Sequence, residues 1–243
     1  IRDKGMWLEF RRVLFRSVNF THLEKHRYKL GFDRLKKSIE NNFDGDFLHF
    51  HDCKEIGSPE HSEVPYAFKP YAIKKAIELG YELILWADCP LYAVKPLNNL
   101  FNHIEENGYI FFDNIGFSIG DYTSDKCLTK HKLLRYDSYK AKMIMACCMG
   151  FNMQNKQTKL LFDKYFEAAN NGISYLGSWT NKNYEVSFDL KCKGHRHDQS
   201  VISILINQMN FNIKTGHETF FAYNNHPTMQ PLADSVCLLS QGF

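Results

Sequence analysis

Long hydrophobic runs are missing from this sequence, because no apolar stretch approaches the roughly 20 residues that a membrane-spanning helix needs. A strong charge of either sign is missing too: 30 basic and 27 acidic residues leave a formal net charge of +3. So small a charge gives no argument for a nucleic-acid partner by itself. We therefore predict a chain without a membrane span, whose function depends on individual residues rather than on overall charge.

Three signature loops are also missing. The sequence contains no G-x-S-x-G, no P-loop and no G-x-G-x-x-G. Serine hydrolases, P-loop kinases and standard dinucleotide-binding proteins are each defined by one of these loops, so the sequence supports none of these three classes.

The cysteines form no C-x-x-C pair, and their number, seven, is odd. They are Cys53, Cys89, Cys127, Cys147, Cys148, Cys192 and Cys237. This usage favours reduced thiols over a disulfide framework and predicts a cytoplasmic location. No two Cys or His pairs show the spacing of a zinc site, so we expect no structural zinc.

The first 17 residues differ from the rest. They are basic, do not begin with Met, and contain no apolar core long enough for a signal peptide. We interpret residues 1–17 as a non-native or disordered leader and residues 18–243 as a single domain. An ordinary N-terminal helix is the alternative.

Short apolar runs alternate with helical periods along residues 18–214, and 44% of the chain is hydrophobic. Strands are predicted at residues 18–22, 46–51, 82–88, 109–114 and 143–153, and helices at 24–40, 70–79, 96–107, 156–170 and 198–209. The alternation indicates an α/β domain with a central, mostly parallel, Rossmann-like sheet flanked by helices.

One apolar strand ends at a lone acid. Residues 83–86 are Leu-Ile-Leu-Trp, and Asp88 follows shortly after them. In open α/β sheets, ligands bind beyond the carboxyl ends of the strands. A carboxylate at that position can hold Mg²⁺ or Mn²⁺ against phosphate oxygens. The alternative is that Asp88 only caps the turn at Cys89–Pro90.

A second cluster of polar side chains stands directly before an apolar helix, at residues 201–206. It consists of His195, Arg196, His197, Asp198 and Gln199. Asp198 could serve as the N-cap of this helix, but capping does not explain the residues beside it. We expect Asp88 and Asp198 to meet around one pocket at the edge of the sheet.

Together these segments resemble glycosyltransferases of the GT-A fold. Residues 66–77 precede the acid-bearing strand, Val94-Lys-Pro-Leu97 follows it, and the cluster at 195–199 is similar to the late His/Asp-Gln motif of several such families. The resemblance spans residues 18–211. It departs from the family at the Asp-x-Asp motif, which reads Asp88-Cys89-Pro90 here, so that Pro90 replaces the second acid.

The resemblance implies transfer of a sugar from a nucleoside-diphosphate sugar to a hydroxyl of a glycan, a lipid-linked or another acceptor. It implies Mn²⁺ or Mg²⁺ held by Asp88, with His195 or His197 either completing the metal shell or bonding a phosphate, although the missing acid leaves metal use open. Donor contacts would come from Thr21, His22, Lys69, Asp88 and Arg196. Asp198 would contact sugar hydroxyls or act as the base on the acceptor hydroxyl, and Gln199 would orient the sugar.

Other interpretations stay open. The domain could bind a nucleotide or glycan without catalysis, or it could transfer a group to modified bases in nucleic acid. The first predicted helix is basic, which indicates either a solvated face or a nucleic-acid contact. We expect acceptor recognition from residues 115–142 and from the tail after residue 214, because variable loops usually carry specificity.

Overall fold

The computed structural model describes residues 12–17, 25–214, 219–224 and 232–241. The predicted strand at 18–22, with the candidate site residues Thr21 and His22, lies outside the described residues. The strands are β1 (Arg12–Ser17), β2 (Asp46–Phe50), β3 (Leu83–Ala87), β4 (Leu91–Ala93), β5 (Tyr109–Ser118), β6 (Lys142–Asn152), β7 (Phe221–Tyr223) and β8 (Leu238–Ser240). The helices are α1 (Lys25–Glu40), α2 (Phe68–Glu78), α3 (Asn98–Asn107), α4 (Asp125–Lys130), α5 (Arg135–Ser138), α6 (Lys156–Asn171) and α7 (His197–Gln208).

Five strands form the main sheet in the order β2-β1-β3-β6-β5. β1 pairs in parallel with both β2 and β3, whereas β6 runs antiparallel to both β3 and β5. The α/β class is therefore confirmed, but the prediction of a mostly parallel sheet holds only for the half formed by β2, β1 and β3. The insertion of β6 between β3 and β5 makes the sheet mixed.

β1 lies inside the range that the sequence analysis assigned to a leader. Its backbone pairs with β2 on one side and with β3 on the other. Residues 12–17, the part of this range that the structure describes, are thus part of the sheet, and the interpretation of residues 1–17 as a leader stays a prediction. The apolar run Val13-Leu14-Phe15 is short and stands among basic residues, so the sequence pattern did not indicate a strand. In the structure, β2 and β3 pair with its two edges.

β3 is buried on both faces, and all five of its residues have no exposed surface. Ile84 and Trp86 point into one core, which also contains side chains of α2, α6 and α7. Leu83, Leu85 and Ala87 point into a second core, which contains side chains of α1 and α3. This alternation is the period of two that a strand imposes. Because both faces of β3 are buried, its sequence is a continuous apolar run, and this run ends where the strand ends.

A second, smaller sheet follows β3 closely. Its order is β4-β8-β7, with β8 antiparallel to β4 and parallel to β7. The end of the chain thereby returns to the segment just after Asp88. No helix among the described residues is long and apolar enough to cross a bilayer.

Candidate active site

Asp88 is the first residue after β3, and its side chain is fixed by two hydrogen-bond donors. Trp86 Nε1 donates to Oδ1 at 2.7 Å, and Lys69 Nζ donates to Oδ2 at 3.1 Å. Its backbone N–H donates to the carbonyl of Cys147 on β6 at 2.9 Å. The carboxylate keeps 28% of its side-chain surface exposed, and it faces a cleft. The strand end thus presents an oriented acid rather than a simple turn cap.

Lys69 lies in the first turn of α2 and is only 3% exposed. Its ammonium contacts three oxygens: Asp88 Oδ2 at 3.1 Å, Asp198 Oδ2 at 3.0 Å and the carbonyl of Ala146 at 3.0 Å. Burial favours the neutral amine, but the two carboxylates outweigh it and hold the pKa of Lys69 above its ordinary value. The contacts with Asp88 and Ala146 are hydrogen bonds, whereas the contact with Asp198 is an ion pair, because Oδ2 of Asp198 has no hydrogen-bond partner among the described residues.

Asp198 lies in the first turn of α7, where a negative charge suits the helix dipole. Arg196, not Asp198, occupies the N-cap position, so the capping interpretation is wrong. Burial raises the pKa of Asp198 to about 6; the charge of Asp88 acts in the same direction and that of Lys69 against it. Because Lys69 joins Asp198 to Asp88, the expectation that the two acids meet in one pocket is confirmed.

The cleft around this trio has a volume of about 270 Å³. It is lined by Tyr66, Lys69, Asp88, Asn114, Met145, Ala146, Cys147, Trp179, Arg196, Asp198, Gln199 and Tyr223. Gln199 donates from Nε2 to the carbonyl of Ile144 at 2.7 Å, which fixes its amide at the wall. Of the predicted site residues, Lys69, Asp88, Arg196, Asp198 and Gln199 thus come together.

Arg196 is held between two aromatic rings. Its guanidinium carbon lies 4.4 Å from the ring centre of Tyr122 and 4.3 Å from that of Trp179. Planar guanidinium groups stack well on aromatic faces while keeping their donors at the edge. This arrangement presents a positively charged fork to the cleft, and no carboxylate of the described residues pairs with it.

Two residues beside the cleft adopt a backbone conformation that is costly for side chains other than glycine. Tyr66 has φ of 62° and His197 has φ of 45°. Each costs roughly 1–2 kcal/mol, which the surrounding structure must offset. Their rings stack with centres 5.6 Å apart, and Trp179 meets the ring of His197 edge-on at 5.1 Å. The two strained residues therefore form an aromatic wall with Trp179 beside the cleft. The sequence patterns did not predict this wall.

The two histidines of the cluster do not face the carboxylates as a metal shell. His195 is fully buried; its Nδ1 accepts from the backbone N–H of Ser124 at 3.3 Å, and its Nε2 bonds the carbonyl of Ser174 at 3.0 Å. Burial lowers the pKa of His195 to about 3. Both ring nitrogens are engaged, which excludes His195 as a ligand in this arrangement.

His197 is also committed to the interior. Its Nδ1 bonds the carbonyl of Tyr175 at 2.7 Å, and burial lowers its pKa to about 4. Its Nε2 is buried without a hydrogen-bond partner among the described residues, in a ring packed between Tyr66 and Trp179. In the described part of the chain, no group of three or more His, Cys, Asp or Glu residues is placed to hold a metal ion. The predicted set of Asp88, His195 and His197 therefore does not fit Mn²⁺ or Mg²⁺.

Gly194 lets the cluster pass close to the segment that carries Trp179. A Cβ atom at residue 194 would collide with the backbone carbonyl of Trp179, where no flexible side chain can give way. We expect Gly194→Ala to lower the free energy of unfolding in urea by about 2–3 kcal/mol. Gly57→Ala is the control, because a Cβ atom there meets nothing within 4 Å, although its φ of 69° is left-handed and already carries the backbone strain of that region. Equal losses in both variants would contradict the close-approach argument.

Comparison with known proteins rests on structure, because no protein-family model and no curated protein matches the sequence. A glycosyltransferase involved in glycosylation of the major capsid of PBCV-1 is 13% identical, with a TM-score of 0.53 over 94% of this chain and 93% of that one. Mouse xyloside xylosyltransferase 1 is 10% identical, with a TM-score of 0.54 over 96% and 97%. The bifunctional glycosyltransferase WbbM is 10% identical, with a TM-score of 0.53 over 98% of this chain and 47% of its own. The chain thus has the fold of GT-A-type glycosyltransferases.

Proposed function

We propose that this GT-A-fold chain transfers a sugar from a nucleoside-diphosphate sugar to a hydroxyl group of an acceptor. The observation that carries the proposal is the cleft itself. Asp88 from the end of β3 and Asp198 from the start of α7 share one buried lysine there, and Arg196 presents a cation beside them. A site that combines acids with a free guanidinium suits a reaction in which a diphosphate leaves and a hydroxyl loses its proton.

Each group has a distinct task in the proposed reaction. Charge develops on the diphosphate as its bond to the sugar breaks, and the fork of Arg196 offers bidentate hydrogen bonds to it. On an inverting course, Asp198 would take the proton of the attacking hydroxyl. Gln199 and Asp88, both at the cleft wall, would orient the sugar through hydrogen bonds to its hydroxyls.

The direct test is a thermal-shift panel of UDP-, GDP-, CMP- and dTDP-sugars at about 1 mM, each with and without Mn²⁺. A true donor stabilises the protein by RT ln(1 + [L]/Kd), so one base class should stand out. Product formation with simple glycan acceptors then separates a transferase from a domain that only binds. Absence of any shift with all four nucleotides would contradict the proposal.

The rate should depend on pH through Asp198. Because its pKa is raised to about 6 by burial, the carboxylate is protonated and inactive as a base below that pH. We expect kcat/KM to rise about tenfold per pH unit below about 6 and to level off above it. The measurement is kcat/KM for the donor from about pH 4.5 to about pH 8. An aspartate with an ordinary pKa of about 3.9 would already be mostly ionised throughout this range. A profile that stays flat down to about pH 5 would argue against Asp198 as the base.

A further inference from the structure

We infer that this site works without a divalent metal ion, because the chain itself supplies the positive charge: Lys69 between the two carboxylates, and Arg196 toward the diphosphate. The part of this inference that concerns the diphosphate rests on the proposed glycosyl transfer. The part that concerns metal binding stands on the geometry of the trio alone.

Lys69 occupies the space where an ion would have to sit. Its ammonium is 3.1 Å from Asp88 Oδ2 and 3.0 Å from Asp198 Oδ2. A divalent ion bound by both carboxylates would need those oxygens and would lie next to a buried positive charge. Repulsion between like charges is strong in an interior that water does not screen. Asp88 and Asp198 therefore already have their cation.

The third residue of the Asp-x-Asp motif, Pro90, is unable to bind a metal ion for a different reason. Pro90 has no side-chain oxygen, and its carbonyl accepts hydrogen bonds from Arg34 Nη2 at 2.9 Å and from the backbone N–H of Gln241 at 3.0 Å. Cys89, between Asp88 and Pro90, is buried and offers sulfur, which suits hard cations poorly. The turn after β3 is thus held in the fold and presents no second oxygen ligand.

Arg196 supplies the charge that a leaving diphosphate needs. Among the described residues that line the cleft, it is the cation that pairs with no carboxylate, since Lys69 pairs with both Asp88 and Asp198. Its contacts with the rings of Tyr122 and Trp179 hold the guanidinium at the cleft before a ligand arrives. Preorganised donors of this kind stabilise developing negative charge without reorganisation.

The test compares the native protein with Lys69→Ala and with Lys74→Ala, a control on the same helix whose lysine is exposed and paired with Glu78. Binding of Mn²⁺ is measured by the loss of its free EPR signal, and folding by the melting temperature. We expect Lys69→Ala to bind Mn²⁺ at least about tenfold more tightly than the other two proteins, because its two carboxylates lose their cation.

A second arm uses the native protein alone, so that it stays decisive if Lys69→Ala does not fold. UDP and GDP are titrated after dialysis against EDTA and again with Mn²⁺, and we expect the Kd of the binding nucleotide to change less than about threefold. If EDTA abolishes nucleotide binding and Mn²⁺ restores it, the inference is overturned. It is also overturned if the native protein binds Mn²⁺ with a micromolar Kd, or if a folded Lys69→Ala binds Mn²⁺ no more tightly than the native protein. If neither nucleotide binds in either buffer, UDP- and GDP-sugars are excluded as donors, and the Mn²⁺ titrations still decide the metal question.

Discussion

Replacing Asp198 with asparagine is expected to lower kcat by about a thousandfold, the loss typical of removing a general base. The fold should survive, because the trio holds two negative charges and one positive charge. Without the charge of Asp198, Lys69 and Asp88 form a balanced pair, and Lys69 keeps its bond to the carbonyl of Ala146. The measurements are single-turnover rates with saturating donor and the melting temperature.

Asp163→Asn is the matched control for this change. Asp163 is an exposed partner of Lys159 on α6, where such a pair contributes only a few tenths of a kcal/mol. Its turnover should equal that of the native protein. If Asp198→Asn retains the native rate while its melting temperature is unchanged, Asp198 has no part in the chemistry. If the melting temperature of Asp198→Asn falls sharply, the main role of Asp198 is to stabilise the fold.

Replacing Arg196 with alanine is expected to lower kcat/KM for the donor by about a hundredfold. Charge-assisted hydrogen bonds to a diphosphate are each worth about 1.5–3 kcal/mol, and the guanidinium offers two at once. Arg196→Lys keeps the charge but loses the planar fork and the stacking on Tyr122 and Trp179, so it should recover only part of the activity. Initial rates over a range of donor concentrations measure both variants.

Lys193→Ala controls for general loss of positive charge near the cleft. Lys193 lies 5.6 Å from the ring of Tyr122 and pairs with Asp121, but it does not line the cleft. Its kcat/KM should change less than about threefold. A native kcat/KM in Arg196→Ala would show that this residue does not contact the donor. An equal loss in Lys193→Ala would attribute the effect to the overall field rather than to a specific contact.

Local patterns were enough to place most elements and to find the two acids at element ends. The apolar run of β3 stops at Asp88, whose carboxylate faces the cleft, and the periodicity of α7 places its start beside Asp198. Both signals depend on neighbouring residues only, so they can be read from the chain. The link between them is not local: the family resemblance gave Lys69 a contact with the donor, and only the packing of α2 against β3 shows that it is buried between two carboxylates.

The histidines show why the rest of the site could not be predicted. His195 and His197 sit among polar residues typical of a ligand cluster. Three of their four ring nitrogens are in fact engaged by backbone groups of Ser124, Ser174 and Tyr175, which belong to distant segments, and Nε2 of His197 is buried without a partner among the described residues. The same limit applies to the sheet: nothing within residues 142–152 indicates that this strand runs against its neighbours. Long-range packing decides both features.

The small sheet β4-β8-β7 has a consequence for how the protein is made. The turn that follows Asp88 is secured only when Gln241 reaches Pro90 and β8 pairs with β4, and Tyr223 of β7 completes the cleft wall. A ribosome must therefore have released the chain through Gln241, more than 150 residues after Asp88, before the pocket can close. Until then, the nascent domain holds Asp88 at an edge that β8 does not yet cover, and contacts so distant in sequence form slowly.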